Sequence, residues 1–183
     1  PGQASVAGVV AVVALLGKEL LHGNDRLAGT GSAAFTLGSA LMAVPLAAFM
    51  RRRGRRPGLM VAFGLGSFGA AVAGAGGEAG VFVLFVVGMA IYGGAQAATL
   101  QGRYVAADLA EPHHRAKAIA SIVWVGTLGA AFGPLLTPWE KRLGRGLGLN
   151  PLVGPFLCAS LMSLVAMTII SVRLRPDPLA VNG

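Results

Sequence analysis

Five arginines crowd into Arg51-Arg52-Arg53-Gly54-Arg55-Arg56, and the runs on either side, 28–50 and 58–77, carry no charged residue. A helix of roughly 20 residues crosses a hydrocarbon layer of about 30 Å. Each run is long enough to do so. The 51–57 segment is then a short cationic turn between two antiparallel membrane helices. Arginine-rich turns of this length stay on the cytoplasmic side, so this one fixes the topology of its neighbours.

The rest of the composition agrees. The chain is 55% hydrophobic and only 12% charged, whereas a soluble domain has about 25% charged residues. Its 28 glycines suit membrane helices, in which small residues let backbones approach closely. A net charge of +8 raises the question of nucleic acid. The cations cluster in short segments between apolar runs and form no stripe along a soluble face, which argues against a nucleic-acid partner. The single cysteine, Cys158, excludes an internal disulfide framework and a multi-cysteine metal site. Adjacent His113 and His114 do not make a metal site either, and no serine–base, paired-carboxylate or phosphate-loop arrangement stands out. No metal or cofactor is expected. The first residue is Pro1 and the first methionine is Met42, so a fragment or a processed product is expected. Residues 4–17 do not read as a signal peptide, because no basic segment precedes them and further spans follow.

Charge and length divide the chain into one domain of six spans, at about 4–21, 28–50, 58–77, 79–102, 118–138 and 149–172. The first is the weakest, since Lys18 and Glu19 intrude near its end. Breakers lie between the spans at Gly23-Asn24-Asp25, Arg56-Pro57-Gly58, Gly76-Gly77, Glu111-Pro112 and the 144–151 region. A lipid-exposed backbone must satisfy its own hydrogen bonds, so the predicted fold class is all-α, a polytopic six-helix membrane bundle. The competing arrangement, a soluble helical core, does not account for six nearly uncharged runs. With the 51–57 turn inside, ten Lys and Arg lie in cytoplasmic segments and five in external ones. Both ends are then expected in the cytoplasm of a cell whose plasma (inner) membrane holds the protein. The 139–148 segment, read as an external loop with Lys141, Arg142 and Arg145, argues the other way.

Polar residues inside spans are the candidate functional groups, because they are costly against lipid. Tyr92, Gln96, Thr99 and Arg103 follow at i, i+4, i+7 and i+11, one stripe of the fourth span. Ser32, Thr36 and Ser39 make a second polar face on the second span. Either set can line a solute cavity, or bond to other helices or back to its own carbonyls. Gly126, Gly129 and Gly133 share one face of the fifth span. They provide close packing or a sliding surface, with Pro134 removing a backbone bond; Pro45 is placed to kink the second span. Glu19 is read as the only carboxylate within a span, and so as the local candidate for a proton carrier.

These features together resemble the N-terminal half of a major facilitator superfamily transporter. The family turn reads Gly-x-x-x-Asp-Arg-x-Gly-Arg-Arg/Lys. Arg52, Gly54, Arg55 and Arg56 match it, while the aspartate is replaced by Arg51 and the first glycine by Ala47. Residues 107–118, with Asp108, Glu111-Pro112 and Arg115, resemble the acidic-Pro-x-x-Arg segment that follows the fourth helix. Gly129 and Gly133-Pro134 are similar to the Gly-x-x-x-Gly-Pro element of antiporter members, although Thr137 and Pro138 replace the glycines that follow. The family's intramembrane arginine falls on Met89 and is absent.

The resemblance implies a secondary active transporter that moves a small organic solute by alternating access, not an enzyme. Proton-coupled efflux leads, with protons as the coupling ion, and uptake of a metabolite is the alternative. It implies a second six-helix half, on the same chain or another copy. It also implies a conformational lock built from Arg52, Gly54, Arg55, Arg56, Asp108 and Arg115, in which arginines dock on helix C-termini and acidic groups. A non-transporting scaffold and a membrane-embedded enzyme using Arg103, Asp108, His113, His114 and Arg115 remain as competing classes.

Overall fold

The computed structural model describes residues 2–21, 27, 29–109 and 112–173 and, within these, all side chains except those of 2–5, 103–109, 112 and 173. Among them the chain forms six α-helices and no strand: α1 Gly2–Leu20, α2 Thr30–Arg53, α3 Arg55–Glu78, α4 Phe82–Leu109, α5 Arg115–Gly146 and α6 Gly154–Arg173. Short 3-10 turns at Pro112–His114 and Pro151–Val153 precede α5 and α6. Five of the helices, α2 to α6, are long and apolar enough to cross a membrane.

The arginine segment contains almost no loop. α2 runs to Arg53 and α3 begins at Arg55, leaving Gly54 alone between them with φ 103° and ψ 160°. Only glycine adopts that conformation without steric penalty. The last turn of α2 holds Arg51, Arg52 and Arg53, where cations complement the negative end of the helix dipole.

Two boundaries differ most from the sequence expectation. α4 continues to Leu109, seven residues past the expected end at 102. The 139–148 segment is not a loop: α5 carries it as helix to Gly146. Pro134 and Pro138 each remove one backbone donor, yet the helix continues through both. Packing supplies the compensation. The Gly154 backbone lies directly against the Glu140 carbonyl, with no room for a side chain between them, and α1 runs along α5 on another side.

The core is organised around α4, which packs chiefly on α3 and α2. Small residues make the α3–α4 contact possible. A Cβ on Gly69 would overlap the Tyr92 nitrogen, one on Gly76 the Phe85 nitrogen, and one on Gly88 the Ala73 backbone. These pairs recur every three to four residues along two antiparallel helices, so the backbones touch over several turns. Gly38 and Gly93 serve the α2–α4 contact in the same way. Larger side chains fill the gaps. Phe85 meets Phe156 of α6 edge-on at 5.9 Å, and Phe35 of α2 meets Tyr92 at 5.5 Å. A Ser67–Ser160 hydroxyl pair at 3.0 Å ties α3 to α6.

At the end of the bundle opposite the arginines, Asn150 gathers three elements. Its side-chain amide donates to Glu19 of α1 at 2.7 Å and its backbone N–H to Glu78 of α3 at 2.8 Å. Its Oδ1 caps the 3-10 turn by accepting from Leu152 N–H at 2.9 Å. α2 and α5 contribute least to the interior. Leu41 and Val44 of α2 are 75% and 74% exposed, and Trp124 and Leu135 of α5 are 69% and 65% exposed.

Candidate functional site

The polar stripe of α4 divides by depth. Tyr92 has no exposed surface; its ring meets Phe35 and its backbone nitrogen lies against Gly69. One turn on, Gln96 is partly exposed, and its Oε1 is buried with no hydrogen-bond partner. Thr99 is also partly exposed and donates back to the Ala95 carbonyl at 2.9 Å. Gln96 is therefore the one member of the stripe with an unused acceptor. A buried acceptor without a partner is unfavourable, so the position is suited to receiving a donor from outside the six helices. The side chain of Arg103 lies outside the described residues.

On α2, Ser32 donates to the Gly29 carbonyl at 2.8 Å and Thr36 to the Ser32 carbonyl at 3.0 Å. Both bond within their own helix, yet both line an open groove of about 510 Å³ together with Gly29, Ala33 and Leu37. A second, apolar cavity of about 210 Å³ lies between α2, α3 and α4, walled by Met42, Pro45, Phe49, Val61 and Leu65 among others. The α4 residues Gln96 and Thr99 are not part of the lining of either cavity; they sit on the helix against which α2 packs.

At the arginine end, Arg56 Nη2 donates to the Ser171 carbonyl at 2.8 Å. α6 ends at Arg173, so this is one of the four terminal carbonyls that lack an intrahelical donor. Arg52 is exposed and Arg55 half-buried. Arg115 is exposed at the first position of α5. Of Asp108 the helical backbone is described, while its side chain lies outside the described residues, as does Glu111.

On α5, Gly133 is buried and Gly126 and Gly129 are half-buried, while Pro134 is exposed. The buried face continues past the prolines through Thr137 and Gly144, with Glu140 between them. Glu140 presses its carboxylate against Gly8 of α1: a Cβ there would lie 3.0 Å from Oε2. That oxygen is buried without a hydrogen-bond partner, and so is the hydroxyl of Thr137. The sequence reading missed Glu140 because it ended the fifth span at Pro138. The signal was present in the spacing 133, 137, 140 and 144, which continues the glycine face with helical period. Glu19, the carboxylate chosen from sequence, is instead exposed and bonded to Asn150. Among the described residues no group of three or more His, Cys, Asp or Glu is placed to hold a metal ion.

Comparison with known proteins matches the family model of the Major Facilitator Superfamily over residues 3–182. The uncharacterized MFS-type transporter YdeG of Bacillus subtilis (strain 168) is 38% identical over 98% of this chain and 42% of its own length. The uncharacterized MFS-type transporter YddS of the same organism is 36% identical over 99% of this chain and 41% of its own. The riboflavin transporter RfnT of Brucella anthropi is 28% identical over 99% of this chain and 46% of its own. The chain thus spans less than half the length of these curated relatives. No solved structure matches.

Proposed function

This chain belongs to the Major Facilitator Superfamily, and on that premise we propose that it is one six-helix half of a secondary active transporter for a small organic solute. The carrying observation is the match of a six-helix chain to less than half the length of proteins named as transporters. A second six-helix half, on the same chain or another copy, completes the cavity. The two halves rock about a midplane site and expose it alternately to each side of the membrane. Gln96, Thr99, Ser32 and Thr36 contribute the polar wall of this half, with Tyr92 packed behind them. Arg52, Gly54, Arg55, Arg56, Asp108 and Arg115 form the conformational lock at the cytoplasmic face. Gly126, Gly129, Gly133 and Pro134 give α5 a surface that moves with little side-chain obstruction.

The reading places the protein in the plasma (inner) membrane with both termini cytoplasmic, and assigns proton-coupled efflux as its direction and driving force. The Gly-Pro element of α5 supports efflux. A second reading is coupled uptake of a metabolite; the likeness to a protein named a riboflavin transporter supports a metabolite as cargo under either direction. The test is flux in inverted membrane vesicles that contain the full-length protein. Solute accumulation that collapses when the proton gradient is dissipated is the expected result. Extrusion from the same vesicles would favour uptake. Folded protein that moves no member of a broad solute panel in either direction would leave the scaffold class standing.

A further inference from the structure

We infer that Glu140 is a proton-binding site at the junction of α1, α5 and α6. Three carboxylates have described side chains: Glu19, Glu78 and Glu140. Glu19 and Glu78 are exposed and both accept from Asn150. Glu140 is different. It lies six residues inside the C-terminal end of α5, about 9 Å along the helix axis. Its Oε2 is shielded from solvent and has no hydrogen-bond partner.

The surroundings are built around that carboxylate. Glycine at position 8 leaves space that any larger residue would take from Oε2. Gly154 lets α6 approach the Glu140 backbone to contact distance. The charged residues of α1, Lys18 and Glu19, lie ten and eleven residues beyond Gly8, about 15 Å along its axis. On α6 the titratable side chain is that of Cys158, four residues beyond Gly154. On α5 itself the flanking groups are Lys141, Arg142 and Arg145. They line an open groove of about 480 Å³ that reaches Thr137, one turn from Glu140. Arg142 is engaged over the Trp139 ring, 5.0 Å from its centroid.

Glu140 as a whole is half-buried, but with one carboxylate oxygen held away from water and without a donor its charge is under-solvated, and protonation removes that charge. The groove is open and reaches to within a turn of the site. The exchange is a simple one. A hydronium ion gives its proton to the carboxylate and leaves as water, and the reverse step returns it. No oxidant or further reactant is needed. Coupling of this exchange to solute movement rests on the transporter reading; the binding of the proton does not.

The experiment is infrared difference spectroscopy of the full-length protein in lipid nanodiscs, stepped in pH without solute, following the stretch of the protonated carboxyl group. A titrating band is expected that disappears in Glu140→Gln and persists in Glu19→Gln. A band unchanged by Glu140→Gln overturns the proposal, as does a band that responds to sodium at constant pH and not to pH. Should Glu140→Gln fail to fold, Glu140→Asp keeps the carboxyl one methylene back and is expected to move the band's midpoint. An identical midpoint overturns the assignment. Parallel flux assays separate the two readings. Solute movement without a Glu140 band leaves the transporter and removes this site, whereas a Glu140 band without solute movement does the opposite.

Discussion

The guanidinium of Arg56 reaches the carbonyl oxygen of Ser171 at 2.8 Å, 115 residues away in the chain. It joins the first turn of α3 to the last turn of α6. The same contact satisfies an orphan carbonyl and places positive charge at a helix C-terminus. Hydrogen bonds that involve a charged group contribute about 1.5–3 kcal/mol, and this one is partly shielded. Arg56→Ala is therefore expected to lower unfolding stability by about 1.5 kcal/mol. Arg52→Ala, at an exposed position, should change it by less than about 0.5 kcal/mol. Thermal unfolding in detergent, followed by helix content, compares the two. Equal effects would mean that the Arg56 contact contributes nothing specific.

The glycine contacts lead to a sharper contrast. Gly69→Val forces a branched side chain into the Tyr92 backbone. Overpacking of this kind typically costs about 1–3 kcal/mol, and more where the obstacle is backbone. Protein abundance and thermal stability should both fall. Gly146→Ala meets nothing within 4 Å and should leave both unchanged or slightly improved. Tolerance of valine at 69 would show that α3 and α4 are farther apart than described.

Topology is testable at the two ends of the bundle. In a Cys158→Ala background, cysteines at Gly54 and at Gly146 should react with an impermeant reagent from opposite sides of the membrane. Gly146 serves better than Gly144, which is buried against Asn150 and Gly154. The basis is the excess of Lys and Arg on the side of the arginine turn. Labelling of both positions from one side would contradict the six-span arrangement and the proposed cytoplasmic placement of the termini.

Much of the fold was legible in the chain because lipid imposes one dominant rule. Uncharged runs of about twenty residues become helices, and the arginines between 51 and 56 mark where two of them meet. Helix ends were less legible. The sequence places polar residues and prolines, but it does not reveal whether a neighbouring helix will hold them in register. Pro138 and Lys141 look like the end of a span, yet Gly154 and α1 keep α5 helical for eight further residues. Glu140 was hidden for the same reason. The shielding of its Oε2 depends on a glycine 132 positions earlier, a relation that no local pattern carries. The setting of Glu19 was hidden in the same way, because its partner Asn150 is equally remote. Tyr92 and Gln96 share a stripe by spacing, but only packing against Phe35 separates the buried member from the one with a free acceptor.

That free acceptor decides what Gln96→Leu should do. Leucine keeps most of the bulk and removes the amide. In the six-helix body Gln96 Oε1 accepts no hydrogen bond, so the substitution should not cost the roughly 1 kcal/mol lost with an interhelical bond. Thermal stability should hold or rise slightly, since an unsatisfied buried polar atom is replaced by apolar surface. If Gln96 faces the solute path, the change should appear as altered solute affinity or selectivity at normal protein abundance, and KM in a vesicle flux assay is the quantity to follow. Gln96→Asn, which retains the amide one methylene back, should recover part of the selectivity. A Leu variant that loses abundance and transports with unchanged selectivity would instead place the amide in a contact with the second six-helix half, and Gln96 would leave the list of solute contacts.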